Sequence, residues 1–444
     1  MTIIILLVLS FTYIALMGFQ LSRIQGAILL NVHNIMLFGF IGVYGILLPV
    51  CYILTSYGYN TGSMAETIMK YDVFDFAIYY FVALITSSFY LYVIRINKSY
   101  YKYEAIENKY QEKNIFGIAL VMLLIGLVSD YLYLKAYGGY ANYLKYSGAV
   151  RSGVITIRNT FSFLIVFRSC VAFSSFLFLS QMKNNGKNSI INTLFFLISV
   201  FFSLRVFYAN KGRLGLAIYL LLVILYIITR DDKETRFLST KTFRRFVFIS
   251  IAFVFGLYLL GIVLSRNITD SIIVQLNKEI SFVFVNFYVQ LHNLTMNQFR
   301  WFSDVFLFPI YILPTSVWQN VLGITTASSD NTLLVSGFRK GTGGIYGEMP
   351  IDLMSLSYMQ MGFVGLIVVP LAFSFLLIYV IRRVNKLRNN NVRRVLYLYT
   401  IIYIGLETIF YADPSHIIHR AFAFIVFLII EPILSVIHLS KKRV

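Results

Sequence analysis

The feature that most constrains this chain is a series of long apolar runs, broken once by a long polar stretch at residues 266–349. Several runs are about 18 residues or longer, and about 20 apolar residues in a helix cross the roughly 30 Å hydrocarbon core of a bilayer. Charged residues make up 13% of the chain, against about 25% in ordinary soluble domains. We therefore expect an all-α polytopic membrane protein.

Hydropathy predicts about eleven transmembrane helices, within a range of roughly 10–13. Residues 1–265 hold the first eight spans and short loops, residues 266–349 form one large loop, and residues 350–444 hold the last three spans with a basic tail. We expect the first span to be retained, because it lacks a basic leader and a small-residue cleavage site. The predicted spans lie near 2–20, 28–54, 73–94, 115–134, 160–180, 190–209, 213–229, 246–265, 352–381, 395–411 and 419–437.

The formal net charge of +19 follows membrane topology and does not indicate a nucleic-acid partner. Lysines and arginines concentrate on alternate loops, which is the pattern of cytoplasmic loops in membrane proteins. The large loop and the shorter loops around residues 135–159 and 413–420 are then expected to face outward. Both cysteines, Cys51 and Cys170, fall inside predicted spans, which argues against a structural disulfide.

The large loop is predicted to contain a helix at or near the membrane surface. Within the segment 271–300, the apolar residues follow a helical spacing and polar residues occupy other faces. Trp301 and Trp318 suit the headgroup zone, while Pro309 and Pro314 break the apolar stretch that follows into a re-entrant or interfacial piece. The helical apolar positions are Ile272, Leu276, Ile280, Val283 and Phe287, and the polar ones are Gln275, Lys278, Glu279, Asn286 and Gln290.

The first candidate constellation lies in residues 137–158, where tyrosines and glycines separate Lys145, Arg151 and Arg158. Outward arginines are informative because topology does not require them, and guanidinium groups bind phosphate oxygens in a bidentate manner. The alternative is that these cations reach toward lipid phosphates at the interface. We favour a functional role for Arg151.

The second constellation is a tight turn between two spans that carries Arg205, Lys211 and Arg213. A charge at membrane depth is costly, and it usually marks a site or an ion pair. A structural pairing with Asp130 or Glu407 is the alternative reading. We favour a functional role for Arg213.

The third constellation runs from Arg339 through a glycine-rich stretch to Glu348 and Asp352. Pro350 is expected in the first turn of the following helix. The helix dipole alone can account for Asp352 in that turn, whereas Glu348 is a candidate general base for a hydroxyl proton.

The fourth constellation is the turn that carries Asp413, His416, His419 and Arg420. Two histidines and one aspartate without further ligands make a weak zinc signal. Hydrogen bonding, acid–base chemistry or a plain polar turn are the interpretations that remain.

Several function classes lack their motifs. The chain has no Walker motif and no dinucleotide fingerprint, so we expect neither a nucleotide nor another cofactor. It shows no internal repeat of the kind that secondary transporters carry. Basic residues and carboxylates from four outer loops instead suit one outward cavity that binds a diphosphate and a sugar.

The same residues resemble the bacterial oligosaccharide repeat-unit polymerases of O-antigen and capsule synthesis (Wzy-type). The resemblance lies in Gly138-Gly139 with Tyr143, Leu144 and Arg151, in Lys211-Gly-Arg213, and in Gly347-Glu348 with Gly362-Phe-Val-Gly365. It implies a fold like that of the GT-C membrane glycosyltransferases, in the bacterial inner membrane. It also implies a metal-independent transfer of the nascent chain from undecaprenyl diphosphate to the incoming lipid-linked unit, with a chain-length regulator protein as a partner.

Within this resemblance each candidate residue receives a role. Arginines must stabilise the departing diphosphate when no metal does so, which favours Arg151 and Arg213. Glu348 is the first choice of base, and His416 or His419 the second. The remaining substrate-binding candidates are Lys145, Arg158, Arg205, Lys211, Arg339, Asp352 and Arg420, with Tyr137, Tyr140 and Tyr346 for stacking on sugars.

Two other functions share many of these features. An O-antigen ligase has the same architecture and donor but uses a lipid A-core acceptor. A flippase for the same lipid-linked units is not an enzyme, and we expect it to show two-fold internal similarity and no large outer loop. A channel is less favoured, because the outer cations form no ring.

Overall fold

The structure is a computed structural model that describes residues 2–21, 32–97, 109–151, 161–182, 187–210, 213–229, 271–313, 316–345, 347–387 and 389–440. Throughout these ranges the chain is helical or irregular, without β-strands. Eight of the described helices are long and apolar enough to cross a membrane. The expectation of an all-α polytopic membrane protein is therefore confirmed at that level.

Fourteen helices organise the described residues, and we number them in chain order. They are α1 (Thr2–Leu21), α2 (Val32–Ser56), α3 (Ser63–Met69), α4 (Val73–Asn97), α5 (Lys109–Lys135), α6 (Tyr140–Arg151), α7 (Ser169–Gln181), α8 (Lys187–Ala209), α9 (Arg213–Thr229), α10 (Ile272–Asn293), α11 (Ala327–Ser336), α12 (Leu353–Asn385), α13 (390–410) and α14 (Pro414–Ser440). Short helical turns add Ser162–Ile165, Met296–Gln298, Ser303–Phe306, Phe308–Ile312 and Ser316–Val321.

Three of the eleven predicted spans are not among the eight. The span predicted near 246–265 lies outside the described residues. The span predicted at 213–229 is α9, whose apolar part, Gly215–Ile227, is shorter than a typical crossing. The span predicted at 395–411 falls on α13, which is π-helical in its middle part, Thr400–Leu406.

Helix α13 joins two groups of helices. On one side α4 packs against α1 and α12, and on the other α7 packs against α5 and α8. Helix α13 contacts α7, α9, α12 and α14, and its π-helical part also contacts α2. Its residues from Val392 to Ile409 are almost entirely buried, so the two groups share one apolar core.

Contacts between loops define the two ends of the bundle. At one end, which we call the loop end, the Tyr143 hydroxyl donates to the Asn210 side chain and the Ser328 amide donates to Asp413. At the opposite end Arg382 of α12 donates to Asn97 of α4. All the contacts described below for the candidate site lie at the loop end.

Helix α12 is broken close to the loop end. Its 33 residues would be about 50 Å long as one helix, more than the bilayer core requires. The backbone leaves helical geometry at Met361 and at Gly362, where φ is 56°, a value that favours glycine. The amides of Arg300 and Trp301 donate to the carbonyls of residues 359 and 360 at 3.0 and 2.9 Å. The large loop thus caps the outer half of the broken helix.

The amphipathic helix predicted in the large loop exists as α10, but its environment differs from the prediction. Asn286 and Gln290 are fully buried, whereas Leu276 is half exposed. Asn331 bridges the two buried amides, donating to the Asn286 oxygen at 3.0 Å and accepting from the Gln290 nitrogen at 2.9 Å. The C-terminal half of α10 therefore packs within the protein, with Asn286 and Gln290 held by Asn331, whereas Glu279 in its first half stays exposed.

The break in α12 makes a prediction for Gly365. An ideal Cβ at this position would lie 1.9 Å from the backbone oxygen of Ser357, so Gly365→Ala must distort the break. We expect a loss of about 2–3 kcal/mol of stability, measured as a lower midpoint of thermal unfolding in detergent. Gly117→Ala in α5 is the matched control, because nothing lies within 4 Å of its ideal Cβ. Equal midpoints for the two variants would contradict the account of the break.

Candidate functional site

A cavity of about 310 Å³ lies at the loop end between α7, α8, α9, α13 and α14. Its largest polar side chains are Arg168, Asn210, His419 and Arg420, and two serines with apolar and aromatic side chains supply the rest. A largely apolar wall with a few polar groups is typical of small-molecule sites, and the volume lies within their usual range.

Arg168 is a buried charged group in the cavity wall with two hydrogen-bonded side-chain partners. Its Nε donates to Asp130 Oδ1 at 2.8 Å and one terminal nitrogen donates to the Asn210 oxygen at 2.7 Å. The guanidinium lies 4.6 Å from the ring centre of Tyr133, a cation–π distance. With a side-chain exposure of 1%, Arg168 fixes the wall and offers little charge to a ligand.

Arg205 approaches the same carboxylate from outside. Its terminal nitrogen lies 3.8 Å from Asp130 Oδ2, and 32% of its side chain is exposed. The guanidinium stacks on Tyr140 with 4.5 Å to the ring centre. Arg205 is therefore paired with Asp130, as the alternative interpretation of the sequence suggested, and part of its side chain stays exposed.

Arg420 lies on α14 and lines the cavity. It is paired with the buried carboxylate of Glu407, and its guanidinium lies 5.4 Å from the ring centre of Tyr411. The carbonyl of the same residue accepts a hydrogen bond from Tyr399, which also lines the cavity. Each of the two arginines in the lining is thus held by one buried carboxylate, Arg168 by Asp130 and Arg420 by Glu407.

Two of the three candidate bases, Glu348 and His416, lie next to each other near the start of α14, and the third, His419, lines the cavity. Glu348 Oε2 is 3.9 Å from His416 Nε2, and both side chains are partly exposed. His416 precedes the cavity residue His419 by three positions, so the two histidines are neighbours on one side of α14. Glu348 is held from the loop side, because the amide of the next residue, Met349, donates to the Thr332 hydroxyl at 2.7 Å.

Asp413 anchors this arrangement at the start of α14. Its carboxylate accepts from the Ser328 amide at 2.8 Å and from the Ser415 amide at 2.9 Å, and Pro414 follows it, as is common in the first turn of a helix. Burial raises the pKa of Asp413, but the charge of His416 and the hydrogen bonds outweigh burial, so the pKa lies below its ordinary value.

Asp352 has a different setting from the other candidates. It is fully buried and caps α12, accepting from the amides of Met354 and Ser355 and from the Tyr44 hydroxyl. Burial raises the pKa of Asp352 to about 6. The prediction that Pro350 and Asp352 lie in the first turn of this helix was wrong, because the helix begins at Leu353 and Asp352 is the residue before it.

The remaining candidates divide into three groups. Lys145 and Arg339 are exposed. Tyr137 packs its ring on Tyr133 and Tyr143. For the third group the structure does not describe the side chains. Arg151 is the last residue of α6 and Arg213 the first of α9, and only their backbones are described. The other members lie outside the described residues: Arg158, Lys211 and Tyr346.

Sequence reasoning missed Arg168 and Asn210. The available signal was an arginine inside the predicted span 160–180, since intramembrane charges are costly and mark sites or pairs. Asn210 stands immediately before the Lys211-Gly-Arg213 turn, but nothing in its local sequence distinguishes it from a turn residue.

The arrangement is suited to binding an anion. The charged groups are Arg168, Arg205 and Arg420 against Asp130 and Glu407, so three positive charges face two negative ones. Water-poor surroundings strengthen such interactions. Among the described residues, no three His, Cys, Asp or Glu side chains come together as a metal site would need.

Comparisons with protein-family models, with curated proteins and with solved structures found no match to this chain.

The two arginines beside Asp130 predict unequal effects of substitution. Arg168→Met leaves a buried carboxylate without its main partner, which costs about 3–5 kcal/mol. Arg205→Met removes a longer and partly exposed contact, worth about 1 kcal/mol or less. Unfolding midpoints in detergent test this order, and a larger loss for Arg205→Met would contradict the assignment of the pair.

Asp413 predicts a dependence of stability on pH. A carboxyl whose pKa is lowered on folding stabilises the fold above its unfolded pKa, near 3.8, and this contribution is lost as the pH falls through the folded pKa. Asp413→Asn should therefore lower the unfolding midpoint at neutral pH, with a gap from wild type that narrows below about pH 4. Glu66→Gln, at an exposed position, is the control. A gap that stays constant down to acidic pH would count against this role.

Proposed function

We propose that this protein polymerises undecaprenyl-diphosphate-linked oligosaccharide repeat units on the outer face of the bacterial inner membrane. The observation that carries the proposal is the cavity at the loop end. Its lining brings Arg168 and Asn210 together with His419 and Arg420, from segments far apart in the chain. Guanidinium groups in and beside the wall of a cavity in a membrane bundle suit a lipid diphosphate, whose charge needs such groups when no metal neutralises it.

The proposed reaction is a direct transfer at the anomeric carbon of the donor sugar. A hydroxyl oxygen of the incoming unit forms the new bond to that carbon, the bond to the diphosphate oxygen breaks, and its electron pair leaves with the lipid diphosphate. The hydroxyl proton passes to the Glu348 carboxylate. Arg420 and Arg205 stabilise the charge that develops on the leaving group. Arg151 and Arg213, whose side chains lie outside the described part of the chain, stay candidates for the same role.

His416 is the residue best placed to assist Glu348. The 3.9 Å between them is longer than a direct hydrogen bond, and catalytic hydrogen bonds often shorten only when substrate binds. In this role His416 orients the carboxylate and His419 extends the polar surface into the cavity. Glu348 stays the first choice because it lies on the loop, from which the acceptor would approach.

The competing functions differ in acceptor or in chemistry. A ligase would transfer the same donor to a lipid A-core acceptor in a single step. A flippase would move the lipid across the bilayer and break no bond. The polar loop contacts around Glu348 favour an enzyme, because a flippase does not need a proton acceptor beside its charged groups.

The direct test uses purified protein in detergent, a lipid-diphosphate-linked repeat unit and no other protein. The proposal predicts a ladder of products on a gel. Glu348→Gln should slow the reaction by about 100-fold or more, and Arg205→Met, which costs little stability, by a similar factor through lost charge stabilisation. Glu66→Gln should leave the ladder unchanged, provided that all variants keep the wild-type unfolding midpoint.

Two results would contradict the proposal. A single addition that occurs only with a lipid A-core acceptor would identify a ligase. No ladder, together with protein-dependent movement of the lipid across proteoliposome membranes, would identify a flippase.

A further inference from the structure

We infer that residues 301–313 and 316–324, which we call the insert, form a re-entrant segment whose exposed apolar side chains contact the acyl chains of the surrounding membrane lipids. This inference does not rest on the proposed activity. It concerns a part of the large loop that the candidate site does not use, and four separate observations on the insert support it.

The first observation is that the insert exposes no charge. Asp304 is the only charged residue in this stretch, and it is 1% exposed. Its carboxylate accepts from Arg300 at 2.8 Å, from Gln360 at 2.6 Å and from Tyr311 at 3.0 Å. A loop in water ordinarily carries exposed charges, so the insert is adapted to a different solvent.

The second observation is the size of its exposed apolar side chains. Phe306 is 77% exposed, Val321 is 76% exposed and Trp301 is 55% exposed, and Ile312, Leu313 and Leu322 are also largely exposed. So many exposed large apolar side chains in one short stretch are unfavourable in water and point to a contact with protein or membrane. Against acyl chains the same surface carries no such cost.

The third observation places the insert at membrane depth. Tyr311 and Trp318 are buried around Ile418 of α14, and Ile425 packs against this cluster. The two isoleucines lie about 6 and 16 Å along the helix from its first residue, Pro414. Both belong to the candidate membrane span Pro414–Glu431. The insert is therefore seated on a helix that is long and apolar enough to cross the membrane, as a re-entrant segment would be.

The fourth observation is that the backbone of the insert is held and largely satisfied. The chain enters it through Trp301 and Phe302, both in the left-handed region with φ of 49° and 60°, and Trp301 also caps the broken helix α12. Within the insert the amides of Leu307 and Ile324 donate to the carbonyls of residues 303 and 318 at 2.7 and 2.9 Å. Irregular backbone at membrane depth is tolerated only when its polar groups find such partners.

The insert also adjoins the candidate site. Ile418 faces the insert, while the next two residues of α14, His419 and Arg420, line the cavity. The insert and the cavity thus share α14 as a common wall. A second protein seated on the same apolar face is the competing explanation, and the experiment below separates the two.

The two tryptophans of the chain provide the test, because Trp301 is 55% exposed and Trp318 is 1% exposed. Wild-type protein and Trp301→Phe are reconstituted in vesicles whose phospholipids carry bromine near the glycerol end or near the methyl end of the acyl chain. The difference between the two proteins is the emission of Trp301. We expect bromine near the glycerol end to remove roughly half of that emission, as for an interfacial tryptophan, and bromine near the methyl end to remove less.

Trp318→Phe supplies a second readout, with Trp301 as the only tryptophan. The emission that remains in Trp301→Phe comes from the buried Trp318 and should change little with either lipid. Quenching of Trp301 by aqueous iodide, without quenching by brominated lipid, would place the insert in water and overturn the inference. Protection of Trp301 from both quenchers would mean that protein covers the face, and would overturn it equally.

Discussion

A charge inside a membrane helix persists only with a counter-charge and satisfied hydrogen bonds, and the pair of Arg168 and Asp130 meets both conditions. It joins α7 to α5, and the same guanidinium reaches Asn210 at the end of α8. Three helices are thereby fixed at the loop end around one cavity. The second buried pair, Glu407 with Arg420, fixes the opposite wall in the same way.

The large loop depends on the broken helix α12. The break exposes carbonyls that Arg300 and Trp301 cap, and from this point the chain turns back along α14. The loop therefore contributes to both sides of α14: Glu348 lies beside His416 next to the cavity, while the insert covers the lipid side. Because the loop contacts α14 at these two places, its position relative to the cavity is fixed without a separate folded domain.

Apolar periodicity and length predicted the helical membrane fold, since burying apolar surface in lipid leaves a clear mark in the sequence. The pairing of charges that are distant in sequence has no comparable sequence pattern. Arg205 was predicted as a candidate, but Arg168, which is buried inside a predicted span, was not. Asn286 and Gln290 were expected on a polar face, because sequence alone does not show that the distant Asn331 will hydrogen-bond to both of them inside the protein. For Asp352 the sequence did indicate a structural role, because a carboxylate near the start of a helix is favoured by the helix dipole.

The central claim is that the cavity between Arg168 and Arg420 binds the diphosphate of a lipid-linked sugar. The most direct measurement is an experimental structure of the protein in a lipid nanodisc with undecaprenyl diphosphate bound. The account predicts density for the two phosphates in this cavity, in contact with Arg420 and within reach of Arg205, with the lipid chain leaving toward the bilayer. Phosphate density at another site, or an empty cavity in protein saturated with the lipid, would contradict it.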